Sequence, residues 1–234
     1  MKTYAFVFAR GGSKGVPRKN IRQLVDKPLI GHAITFANHI ADIERSFVST
    51  DCPEIAKISE SFGATIIPRP IFLAQDNSPE WLAWRHAVEW VHKSVGPFDR
   101  FLSLPATAPM RLEEDIRRCS EALDEETDVV VTMTPAKRSP WFNMVKVDKG
   151  GYVQTLIEGE YFRRQDAPEA FDLTTLVYLM RPNFIMTHEN LWQGRVRGVL
   201  IPQERSIDID TELDFNIAEF LMQEKIRSQS KNVK

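Results

Sequence analysis

The chain has 234 residues, 43 % of them hydrophobic and 26 % charged, with a formal net charge of −2 and an isoelectric point near 6.2. That is enough for one α/β domain with a buried core and too little for two full domains, and the even charge balance argues against a general nucleic-acid binder. Cys52 and Cys119 are the only cysteines, which leaves no disulfide framework and no zinc spacing. No apolar stretch is long enough to span a membrane or act as a signal peptide, so the cytoplasm is the default compartment.

Taken in chain order, apolar runs of strand length alternate with segments of helical period, the pattern of a mostly parallel sheet flanked by helices. A strand over Thr3–Ala9 leads through a glycine-rich basic loop to a helix starting near Pro28, where Leu29, Ile30, Ala33, Ile34, Ala37 and Ile40 repeat on one face. Strand Ser46–Thr50, helix Pro53–Phe62 and a short strand Ala64–Pro68 follow, then helix Trp81–Ser94, strand Phe101–Leu104, helix Leu112–Leu123 and strand Asp128–Thr134. Trp81, Trp84 and Trp90 fall on one helix and read as packing residues. The rhythm then breaks over about 141–171. Met144–Val147, a Lys149-Gly150-Gly151 turn and Tyr152–Leu156 predict a β-hairpin, and an arginine-rich stretch Tyr161–Pro168 follows it. This segment reads as an insert in a single domain. The core pattern resumes with strands Thr175–Met180 and Val196–Ile201 and a last helix from about Thr211 to Arg227, leaving Ser228–Lys234 as a polar, frayed tail.

Two segments carry chemistry. The first is Ala9-Arg10-Gly11-Gly12-Ser13-Lys14-Gly15-Val16-Pro17-Arg18-Lys19-Asn20, directly after the first strand. Its glycines let backbone N–H groups converge on an anion while Arg10, Lys14, Arg18 and Lys19 concentrate positive charge, which is the outline of a polyphosphate site. It is neither a P-loop, since Gly15 is followed by Val16-Pro17, nor a dinucleotide fingerprint, since Gly11-Gly12 breaks that spacing. A solvated connection is the plain alternative. The second segment is Ser206-Ile207-Asp208-Ile209-Asp210-Thr211-Glu212-Leu213-Asp214-Phe215. In an extended run Asp208 and Asp210 share one face while Ile207 and Ile209 share the other, and two hard oxygen donors suit Mg²⁺ held jointly with phosphates. The competing reading is a helix cap with acidic residues complementing the dipole.

Together with Arg69-Pro70, Thr107-Ala108-Pro109-Met110-Arg111 and Arg164-Gln165-Asp166-Ala167-Pro168, these two segments resemble, in order and over nearly the whole chain, the acylneuraminate cytidylyltransferases, or CMP-sialic acid synthetases. The resemblance implies a Rossmann-like nucleotidyltransferase fold with a small β-hairpin dimerisation insert. It also implies transfer of CMP from CTP to the anomeric hydroxyl of a nine-carbon α-keto acid sugar, with Mg²⁺ as cofactor and a homodimer as the working form. The matched positions then take roles. Lys19, Arg10 and Asp210 would be catalytic; Asp208 and Asp210 would hold Mg²⁺. Ala9, Arg10, Gly11, Ser13, Lys14, Lys19, Asn20, Arg69 and Thr107 would bind the nucleotide, and Arg163, Arg164 and Gln165 the acceptor, in a site shared between subunits.

The chain departs from the family where the acceptor would lie. Pro105-Ala106-Thr107 replaces the usual Gln-Pro-Thr, Ser78-Pro79-Glu80-Trp81 stands at the usual Ser-Ser, and Asp172-Leu173-Thr174-Thr175 stands where Asn-Gly-Ala is common. These changes leave open N-acetylneuraminate, a legionaminate-like acid or another nonulosonate. Activation of 3-deoxy-octulosonate or a sugar phosphate is the alternative within the fold, and a metal-dependent glycosyltransferase or a silent nucleotide-binding protein the alternatives outside it.

Overall fold

A computed structural model describes residues 1–12 and 15–231, with side chains to residue 228. Its elements run β1 (Thr3–Phe8), β2 (Gln23–Leu24), β3 (Lys27–Pro28), α1 (Leu29–His39), β4 (Ile43–Thr50), α2 (Pro53–Ser61), β5 (Thr65–Pro68), α3 (Glu80–Ser94) and β6 (Arg100–Ser103). Then follow α4 (Glu113–Ala122), β7 (Val129–Pro135), β8 (Val145–Val147), β9 (Val153–Thr155), β10 (Phe171–Met180), α5 (Pro182–Thr187), β11 (Val196–Leu200) and α6 (Glu212–Lys231). The main sheet has seven strands in the order β11-β7-β10-β6-β1-β4-β5. All neighbours are parallel except β10, which is antiparallel to both β6 and β7.

Alternation along β1 sorts the two faces. Tyr4 and Phe6 join Trp81, Trp84, Val88 and Phe184 on the α3/α5 side, whereas Ala5 and Val7 belong to clusters built with α4 and with α1 and α2. A strand covered on both faces needs a nearly continuous apolar run, and β1 has one from Tyr4 to Phe8. The order β5-β4-β1 followed by β6 on the other side of β1 makes a topological switch point between β1 and β6, where ligands of open α/β sheets bind beyond the strand carboxyl ends. The basic loop and the 104–112 connection leave from those two strands.

The elements read from sequence recur with ends shifted by a few residues. Three features were not foreseen: the β2–β3 hairpin, the short helix α5, and the reversed direction of β10, which begins four residues earlier than the apolar run because Phe171, Asp172 and Leu173 are open to solvent. The last helix runs on to Lys231, so most of the stretch read as frayed is helical; residues 232–234 lie outside the described residues. The expected insert forms a separate two-stranded sheet, β8 with β9. Its turn is locked by Asp148, whose Oδ1 accepts from the N–H groups of Gly150 and Tyr152 at 2.8 and 3.0 Å, with Gly151 at φ +85° supplying the left-handed residue. Val145, Val147, Tyr152, Val153 and Phe162 all face solvent. Among the described residues no helix is long and apolar enough to cross a membrane.

Candidate active site

The basic loop is pinned on both sides. Ala9 N–H donates to Ser49 at 3.1 Å, Gly11 N–H donates to Asp51 Oδ1 at 3.2 Å, and Arg18 takes the left-handed conformation at φ 55° while pairing with Glu54. Beyond it, Val16 is fully buried against Leu24, Leu29, Ile209 and Phe215 in a satellite core. That contact explains why the loop meets the acidic segment nearly 200 residues later: Val16 and Ile209 each gain on the order of 1.5–3 kcal/mol by leaving water together. The approach is so close that a Cβ on Gly15 would stand 2.0 Å from the Asp210 carbonyl oxygen.

Lys19 lies in that seam. Its Nζ donates to Ile209 O at 2.6 Å and to Asp210 Oδ1 at 2.9 Å. Arg10 is likewise held by acid, with Nη1 2.5 Å from Asp76 Oδ1. Asn20 is buried and its Nδ2 donates to Arg10 O at 3.1 Å, so the amide positions the loop. Thr107 accepts from Ile209 N–H through its own carbonyl at 2.9 Å, tying the β6 connection to the acidic segment. Arg10, Gly15, Lys19, Asn20, Thr107 and Asp210 line one cavity of about 290 Å³. Arg10 and Phe8 are shared with a second cavity of about 260 Å³, which contains Arg69, Asp76, Ser78 and Glu80. The two form one cleft over the switch point. A more voluminous hollow of about 930 Å³ lies at the other end of the sheet among Met1, Phe98, Arg100 and Asp124 and holds none of the motif residues.

The helix cap and the acidic pair prove to be separate devices. Thr211 Oγ1 accepts from Asp214 N–H at 3.2 Å, and Asp214 Oδ2 accepts from the N–H groups of Asp210 and Thr211 and from the Thr211 hydroxyl. This reciprocal box caps α6 without the carboxylate of Asp208 or Asp210. Partial burial raises the Asp214 pKa, but the bonds from Thr211 and Asp210 outweigh it and hold the carboxyl below its ordinary value. Among the described residues Asp208 Oδ1 is buried with no hydrogen-bond partner. An orphaned carboxylate oxygen beside Asp210 fits a hard divalent cation that takes its remaining ligands from phosphates and water. No cluster of three or more metal-binding side chains occurs among the described residues.

Arg69 is buried across the Phe8 ring, its carbon 5.5 Å from the centroid. Nε and Nη2 donate to Ser49 Oγ and O at 3.1 and 2.6 Å, and burial lowers its pKa to about 10. Arg111, part of the 107–111 motif, is a brace: its guanidinium is buried, donates to Leu176 O and Pro105 O, and is pulled down to about 9. Ser13 and Lys14 lie outside the described residues.

Arg163, Arg164 and Gln165 do not join this cleft within one chain. Arg163 forks onto Asp166 at 2.8 and 2.9 Å, and Arg164 Nη2 donates to Ala136 O at 2.6 Å. Arg164 and Gln165 line a different cavity, about 490 Å³, with Arg138, Ser139 and Phe171. Conversely, Asp51 on Gly11 N–H and Asp76 on Arg10 reach the cleft without having stood out in the sequence, although the placement of Asp51 just past a strand's carboxyl end could have flagged it; Glu80, noted there only as a departure, lines the same cleft.

A family profile described as "Cytidylyltransferase" matches residues 4–232. The chain is 34 % identical over 225 residues to post-translational flagellin modification protein B of Campylobacter coli, covering 94 % of each. It is 32 % identical to CMP-N,N'-diacetyllegionaminic acid synthase of Campylobacter jejuni subsp. jejuni, covering 92 % of this chain and 93 % of the other. Among solved structures, a CMP:2-keto-3-deoxy-manno-octonic acid synthetase complexed with CTP superposes with a TM-score of 0.69 at 20 % identity, covering 96 % of this chain and all of that one.

Proposed function

As the chain belongs to the cytidylyltransferase family, we propose that it transfers CMP from CTP to the anomeric hydroxyl of a nonulosonic acid, with N,N'-diacetyllegionaminic acid the first acceptor to try. The observation that carries this reading is the meeting of Lys19 with Asp210, 2.9 Å apart and 191 residues distant in sequence, in a cleft that Arg10 and Arg69 also line.

In this reading the acceptor hydroxyl oxygen attacks the α-phosphorus of CTP, the bond from that phosphorus to the bridging oxygen breaks, and pyrophosphate leaves. Little covalent work falls to the protein, so positioning and charge neutralisation dominate. Arg10 and Lys19 exchange their carboxylate partners Asp76 and Asp210 for phosphate oxygens, and Lys19, braced by Ile209 O, is held where charge develops on the α-phosphoryl group. Asn20 and Thr107 keep the loop and the acidic segment in register. Asp208 and Asp210 would hold Mg²⁺, which when bound neutralises phosphate charge and lowers the pKa of a hydroxyl beside it. Arg164 and Gln165 would serve the acceptor in a partner's cleft, with the exposed apolar residues of β8 and β9 covered by a second copy of this chain.

The test is pyrophosphate release from CTP and Mg²⁺ across a panel of acids: N,N'-diacetyllegionaminate, N-acetylneuraminate and 3-deoxy-octulosonate. Turnover of the octulosonate alone would move the acceptor to the eight-carbon class. Consumption of a nucleotide sugar without pyrophosphate would replace the reading with glycosyl transfer.

A further inference from the structure

The cavity beside Arg69 contains more acceptors than a phosphate site needs, and most of its polar groups are already engaged. Arg69 spends two of its nitrogens on Ser49, Asp76 holds Arg10, and Gln75 Nε2 donates to Ile71 O at 3.0 Å. Glu80 differs. It is the first residue of α3, lines the same 260 Å³ hollow as Arg69 and Arg10, and enters no ion pair among the described residues. The residue is exposed to solvent, and desolvation nonetheless raises its pKa, while Trp84 and Arg69 pull it back and Asp208 adds to the rise. Arg69 in turn feels Glu80 as the largest of the charges around it. A donor and an acceptor thus share one small hollow, which Arg10 also lines.

Resting on the CTP reading above, we propose that Glu80 selects the nucleobase by accepting a hydrogen bond from the 4-amino group of cytosine. Cytosine presents a donor at position 4 and acceptors at N3 and O2, whereas uracil presents an acceptor at position 4. A carboxylate rewards the first and repels the second, the same logic by which Glu and Asp read the cytosine amine in nucleic acids. Arg69, whose guanidinium shares the hollow, is the complementary donor for the ring's acceptors.

Nucleotide binding without acceptor tests this directly. Calorimetric titration of CTP and UTP is carried out on the full chain and on its Glu80→Gln, Glu80→Ala and Asp76→Asn variants, with unfolding midpoints recorded to verify folding. The preference of the unaltered protein for CTP should shrink by about tenfold to a hundredfold in both Glu80 variants, the range of one base-edge contact, and most in Glu80→Gln, whose amide can donate to uracil O4. An unchanged CTP:UTP ratio in the Glu80 variants overturns the proposal, as does loss of the preference in Asp76→Asn alone. If the unaltered protein binds neither nucleotide, the CTP reading itself fails and Glu80 selection falls with it, a result distinct from the other two.

Discussion

Replacing Gly15 with alanine puts the seam between the basic loop and the acidic segment under direct strain. The added Cβ would stand 2.0 Å from the Asp210 carbonyl oxygen and 3.3 Å from its carbon. The obstacle is backbone, so no side-chain rotation relieves it, and the two strands of chain must part by roughly 1.5 Å to restore a van der Waals contact of about 3.5 Å. Overpacking of this kind costs about 1–3 kcal/mol, which at about 2–4 °C per kcal/mol for a chain of this size lowers the melting temperature by several degrees. The functional loss should be larger. Lys19 is fixed by Ile209 O and Asp210 Oδ1, both carried by the displaced segment, and an error of 1 Å in a positioned group costs on the order of a hundredfold in rate. Gly12 supplies the control, because a Cβ there meets nothing within 4 Å among the described residues. Differential scanning calorimetry and pyrophosphate release on Gly15→Ala and Gly12→Ala decide the matter. A Gly15→Ala protein with unchanged melting and turnover would show that the close approach of loop and acidic segment is not a requirement of the site.

Lys19→Ala should cut kcat by orders of magnitude with little change in melting temperature, since a preorganised charge matters far more to the reaction than to the fold; kinetics beside circular dichroism check it. Asp208→Asn and Asp210→Asn should abolish Mg²⁺-stimulated turnover, whereas Thr211→Ala should lower stability by about 1 kcal/mol and leave the Mg²⁺ titration unchanged, because Thr211 and Asp214 alone form the cap. Mixing inactive Lys19→Ala and Arg164→Ala proteins should restore part of the activity after subunit exchange if Arg164 serves a partner's cleft; a monomer by light scattering, or no recovery despite exchange, refutes the shared site. His32, whose pKa is lowered by burial although Leu24 O at 2.8 Å and Asp26 oppose the shift, takes up protons less readily folded than unfolded. Stability should therefore decline as pH falls from about 7.5 through the ordinary histidine value near 6.5, and melting curves of His32→Gln should lack that part of the decline.

Strand and helix positions were legible in the sequence because burial imposes pattern: β1 is apolar from Tyr4 to Phe8, and the Ile55/Ile58 stripe of α2 repeats at helical spacing. The two chemical segments were legible because their residue types are locally unusual, glycines with cations in one and alternating acids and isoleucines in the other. Sequence also left a real ambiguity at Asp210-Thr211, where capping and metal binding call for the same residue types. Only three-dimensional placement resolved the capping half, by assigning the cap to Thr211 and Asp214 and leaving Asp208 Oδ1 without a partner among the described residues. The antiparallel course of β10 was equally invisible, since an apolar run carries no direction. The same holds for Asp76 against Arg10 and Glu80 beside Arg69. Single acids in polar loops have no local signature, and their neighbours are set by which strand ends the switch point brings together. Local pattern therefore determined what each segment is and which anion-binding chemistry it favours, while the long-range burial of Val16 with Ile209 decided that the basic loop and the acidic pair share one cleft.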